Sequence, residues 1–113
     1  MAVAYSPNTF QLNSYRTHSV LTLTPGEVIV KMYDIAVAAL IARDGERACK
    51  VLVQLIDSLD FEYHEISVGL FRLYRYCMDE IKKGEFELPA GILRELRQTW
   101  LQALEQASEA ASI

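Results

Sequence analysis

Fifteen consecutive residues, 28–42 (VIVKMYDIAVAALIA), are apolar except at Lys31 and Asp34. A helix with one wet side carries a polar stripe, and this stretch has almost none. In a chain of 113 residues few helices can be enclosed by the rest of the fold. The segment is therefore either the central staple of a small bundle or a surface left partly bare for a partner.

Its start is well marked. Thr24 can cap the free amides of a first turn, Pro25 takes the position where a missing N–H costs nothing, and Glu27 completes a capping box. The pattern predicts a first helix over 24–42, stopped at Arg43-Asp44-Gly45. Asp44 is then an N-cap for a second helix over 46–59, with Ala48, Leu52, Leu55, Ile56 and Leu59 on one face. A third helix is expected over 62–83, with a stripe of Ile66, Leu70, Leu73, Cys77 and Ile81 flanked by Phe71 and Tyr74. Lys82 and Lys83 suit its negative end and Gly84 its C′ position. Pro89 opens a fourth, in which Leu93, Leu96, Trp100, Ala103 and Leu104 repeat to about residue 108. No segment alternates with period two for long enough to form a strand. The expected fold is all-α: an antiparallel four-helix bundle with short connections, spanning 15–108. Residues 1–14 read as a flexible N-terminal arm and 109–113 as a disordered tail.

Bulk properties narrow the function classes. The net charge is −4, with 15 acidic and 11 basic residues. That disfavours nucleic-acid binding by phosphate neutralisation and a polybasic membrane anchor. The apolar segment is short and interrupted for a membrane span, and MAVAYSPN lacks the cationic flank of a secretory signal. Cys49 and Cys77 fall inside helical patterns, as reduced thiols of a cytoplasmic protein would.

Catalytic and metal chemistry find little footing. His64-Glu65 begins like a zinc-protease motif, yet Val68 stands where the second histidine belongs. His18 and His64 have no Cys or His at ligand spacing, so neither a metal nor a cofactor is expected. The cysteines lack a basic partner that would make a nucleophile, and the acidic pairs fall at helix ends and loops. Asp34 is more informative. It either occupies the one solvent-facing azimuth of its helix or is semi-buried and paired with Arg97 of the last helix.

Taken in order, the residues resemble a known family. Tyr15-Arg-Thr-His-Ser-Val20, Thr22-Leu-Thr24-Pro25-Gly26-Glu27 and Lys31-Met32-Tyr33-Asp34 are similar to the opening of the flagellar export chaperones of the FliS family. So are Ser58-Leu59-Asp60-Phe61-Glu62, Leu70-x-x-Leu73-Tyr74-x-Tyr76-x-Met78 and Leu96-Arg97-Gln98-Thr99-Trp100 to its later motifs. The resemblance implies a cytoplasmic bundle that binds the disordered C-terminal segment of flagellin and blocks premature polymerisation. Client-binding residues would come from Tyr15, Val20, Val28, Ile29, Met32, Tyr33, Ala36 and Leu40, a set that mixes core and client-facing positions. Thr24, Pro25, Asp34, Tyr74, Leu96, Arg97 and Trp100 would be structural. A largely hydrophobic, salt-insensitive interface is expected. The interval from Asp34 to Asp60 is shorter than is typical of the family, which implies a shorter groove. Two other readings stand beside this one: a diverged paralogue holding another flagellar or regulatory protein, and a bundle that self-associates as a homodimer without client.

Overall fold

The computed structural model describes residues 23–111, most of them in four helices. These are α1 (Pro25–Ile41), α2 (Gly45–Asp57), α3 (His64–Lys82) and α4 (Glu87–Ala111). Together they form an all-α, antiparallel four-helix bundle without strands among the described residues. The N-terminal arm expected over 1–14, together with Tyr15 and Val20, lies outside the described residues.

Local chemistry explains the helix ends. Thr24 and Glu27 form the reciprocal capping box: the Glu27 amide donates to the Thr24 hydroxyl at 3.2 Å, and the Thr24 amide donates to the Glu27 carboxylate at 2.9 Å. The Asp44 side chain accepts from the Arg47 amide and caps α2. Gly84 closes α3 with φ +85, a conformation that costs a residue without a Cβ nothing. Arg43 ends α1 with φ 59, which is strained for a side chain-bearing residue. Its guanidinium lies 4.7 Å from the centre of the Phe86 ring, so the α1–α2 turn is tied to the α3–α4 connection.

Several boundaries differ from the sequence expectation, among them the end of α2, which stops at Asp57 rather than 59. α3 begins at His64 rather than 62, because the Asp60 carboxylate accepts from the Glu62 amide and turns the chain there. The buried Ser67 hydroxyl donates to the Asp60 carbonyl and fastens that turn to α3. α4 begins at Glu87, two residues before Pro89, and continues to Ala111 through residues expected to be a disordered tail.

Packing is uneven along the bundle. α1 packs chiefly on α4 and α2, while the α3–α4 seam is the thinnest of the four. Leu40, Ala48, Leu52, Cys77, Ile81 and Leu93 are buried where the α1–α2 turn meets the α3–α4 connection, and Tyr33, Leu55 and Tyr74 are as enclosed further along the bundle. Gly45 belongs to this closed end, where an added Cβ would come within 2.9 Å of Ile81. The opposite end holds the start of α1, the 58–63 connection, the first turns of α3 and the second half of α4. Val30, Leu55 and Ser67 are buried toward this open end, while Phe61, Tyr63 and Ile66 are exposed at it.

α1 resolves the question posed by its greasy sequence. Val30, Tyr33, Ala36, Ala39 and Leu40 are buried, and of its large hydrophobics only Ile41 is exposed. It is the central staple. The bare apolar surface belongs to α3 instead: Ile66, placed by its spacing in the buried stripe, is 67 % exposed, and Leu70 and Leu73 are only half-buried.

Candidate functional site

A polar network lies under the open end. The Tyr33 and Tyr74 hydroxyls share a hydrogen bond of 2.6 Å, and the Trp100 indole N–H donates to the Tyr33 oxygen at 3.1 Å. Three helices are joined through one phenol oxygen. Burial raises the pKa of both phenols above the ordinary tyrosine range, and at Tyr74 the bond to Tyr33 adds to the effect. Both tyrosines are neutral throughout the physiological range, so the network fixes helix register rather than moving protons. Nearby, Arg97 of α4 and Asp34 of α1 form the ion pair considered above. Both side chains are more than a third exposed, so this pair contributes little to stability.

Above this network opens an apolar cleft of about 340 Å³. Ile29 of α1, Leu59 and Tyr63 of the connection, Ile66 and Leu70 of α3 and Trp100 of α4 form its walls. Phe61, Tyr63 and Ile66 are 50 %, 64 % and 67 % exposed, so the apolar surface continues beyond the cleft onto the connection. Phe61, Tyr63 and Ile66 adjoin the cleft and make it a candidate interaction surface, whereas exposed hydrophobics elsewhere on the bundle, such as Ile41 and Leu88, need no explanation.

The residues expected to bind a client divide between core and surface. Tyr33, Ala36 and Leu40 are enclosed in the core, at 0 %, 0 % and 2 % exposure, and offer nothing to a partner in this packing. They are the core members of that mixed set, because the face of α1 that carries them packs against α2 and α4. Val28, Ile29 and Met32 are half-buried, and Ile29 reaches the cleft. Tyr74, expected to be structural, is buried. Trp100 is half-buried and serves both the core and the cleft wall. Leu96 packs partly buried against the core. Leu59, Phe61, Tyr63, Ile66 and Leu70 were not among the client-binding residues expected from sequence. Their signal was present: two aromatics, Phe61 and Tyr63, stand in a turn where polar residues are the rule.

A second depression, about 450 Å³ and wider open, lies between α2 and α3 at the closed end, with Cys49, Val53 and Ile81 in its walls. Burial raises the Cys49 thiol while Lys82 pulls it the other way, and burial raises Cys77 to about 11. Neither is a ready nucleophile at neutral pH. Among the described residues no helix is long and apolar enough to cross a membrane. No group of three or more His, Cys, Asp or Glu side chains among them is arranged to hold a metal ion. Comparisons with protein-family models, with curated proteins and with solved structures found no match to this chain.

Proposed function

We propose that this protein is a non-catalytic binding protein of the flagellar export chaperone type, which holds the disordered C-terminal segment of flagellin in the cytoplasm. The observation that carries the reading is the exposed apolar cleft at the open end, bounded by residues of α1, the 58–63 connection, α3 and α4. The ordered motifs from Tyr15 to Trp100 supply the identity of the client. A segment folding as a helix along this end would lay its apolar face against Ile66, Tyr63 and Trp100. Its ordering entropy would be offset by buried apolar area. In that role the client's polymerisation surface is covered until export.

Tyr15 and Val20 precede α1, whose N-terminus stands at the open end. Removing residues 1–20 is expected to change client affinity, and unchanged affinity counts against a role for Tyr15 and Val20 in client binding.

The short interval between Asp34 and Asp60 favours a second reading, in which the client is a shorter segment of another flagellar or regulatory protein. Isothermal titration with the last forty or so residues of the host's flagellin separates the two, a length set by the roughly 1.5 Å rise per helical residue. One-to-one binding with a large negative heat-capacity change supports the flagellin reading. Absence of heat and of co-elution sinks it and leaves the paralogue. A dimer that persists at low concentration and does not dissociate on adding the peptide would favour self-association instead.

A further inference from the structure

The wall that the 58–63 connection and its flanks give the open-end cleft is acidic, and the cations nearest in sequence to the other walls are Lys31 of α1 and Arg97 of α4, the latter already paired with Asp34. Residues 51–71 contain no Lys or Arg, while Asp57, Asp60, Glu62 and Glu65 stand within or beside the connection that forms one wall. All four are exposed, and among the described residues none has an ion-pair partner. Glu62 and Glu65 suit the positive end of the α3 dipole, so the helix itself accounts for them. Asp57 is different. It occupies the last turn of α2, where the dipole is negative and no basic residue compensates. Asp60 follows three residues later and leaves the wall more negative still.

We infer that the cleft selects a helical protein segment whose apolar face is flanked by Lys or Arg. The apolar walls supply contact area, and the four carboxylates set orientation, encounter rate and discrimination. The same rim repels phosphate backbones and anionic lipid surfaces. Binding is therefore salt-dependent, unlike the salt-insensitive interface that the apolar pattern alone suggests. This inference rests on the cleft being the docking surface and does not depend on flagellin being the client.

Trp100 is the chain's only tryptophan and lines the cleft, so its emission reports occupancy directly. The test uses two synthetic helical peptides of about eighteen residues, five turns, with one shared Leu/Ile face. One carries Lys at the flanking positions and the other Glu. The Lys peptide is expected to shift Trp100 emission and to bind about tenfold more tightly at low salt. That gap should fall below about threefold at 0.5 M NaCl, roughly where screening cuts off exposed charges within a few ångströms. It should also fall in the isosteric triple variant Asp57→Asn, Glu62→Gln, Glu65→Gln, whose exposed positions leave the core untouched. Equal affinities, a gap that survives in the triple variant, or no emission change with either peptide would overturn the inference. The flagellin titration is read separately. If it fails while the Lys peptide binds, the flagellar reading is lost and the basic-flanked partner stands.

Discussion

The two ends of this bundle use the same kinds of residue to different purposes. At the closed end, Leu52 and Leu93 are fully buried, Gly45 lets Ile81 approach, and Arg43 stacks on Phe86 to tie the two connections together. At the open end, Ile66 and Tyr63 continue the hydrophobic pattern but face water, and the polar bonds among Tyr33, Tyr74 and Trp100 hold the helices beneath them. Helical periodicity alone does not distinguish the two. What differs is whether a neighbouring helix arrives to cover the stripe. Where α2 ends and the 58–63 connection turns away, nothing of the described chain covers Ile66.

This comparison can be broken by substitution. Leu52→Ala should cost about 2–5 kcal/mol, because a fully enclosed leucine leaves a cavity, whereas Ile66→Ala should change stability by no more than about 0.5 kcal/mol. Urea unfolding midpoints compare the two directly, and similar losses would mean the open end is as much core as the closed end.

The network between the ends comes next. Tyr33→Phe removes the oxygen that accepts from Trp100 and bonds to Tyr74, leaving both without that partner, at a cost of about 1–3 kcal/mol. Tyr74→Phe leaves the Trp100 bond in place and should cost less. A reversed order, read from the same unfolding curves, would contradict the central position assigned to Tyr33.

Alkaline titration sharpens the picture of the buried layer. Cys77 is raised from an ordinary 9.0 to about 11, so its contribution is fully present below about pH 9 and is lost as pH rises through 11. Tyr33 and Tyr74 are raised as well and add to the same alkaline loss. Stability should therefore decline above pH 9, and the decline should be shallower in Cys77→Ala. Asp34→Asn should cost under about 1 kcal/mol, because the Arg97 pair is more than a third exposed.

How much of this was legible in the sequence depends on how local the cause is. The cap formed by Thr24 and Glu27, the Asp44 cap and the Gly84 terminus each depend on neighbours within a few residues, and all three stand where the sequence placed them. Asp34 and Arg97 are far apart in sequence, yet a charge interrupting a greasy helix has few ways to be accommodated, and the pair is present. The candidate site was less legible. Tyr33, Ala36 and Leu40 were indistinguishable from surface positions because α1 is apolar on every side, and only the packing of α2 and α4 separates its faces. Ile66 was misplaced for the opposite reason. Its spacing is that of a core residue, and its exposure follows from the turn that Asp60 and Ser67 hold, a tertiary fact.

On the proposed reading the open end docks a partner while the closed end holds the fold together. Hydrogen exchange of the full chain, free and with the flagellin C-terminal peptide, tests it most directly. Fast exchange is expected in the first turns of α3 and around Trp100 in the free protein, with protection gained there on binding. Residues 45–55 and 88–93 should be protected in both states. Protection gained instead around Gly45 and Cys49, with α3 residues 64–70 unchanged, would contradict it and move the docking surface to the opposite end of the bundle.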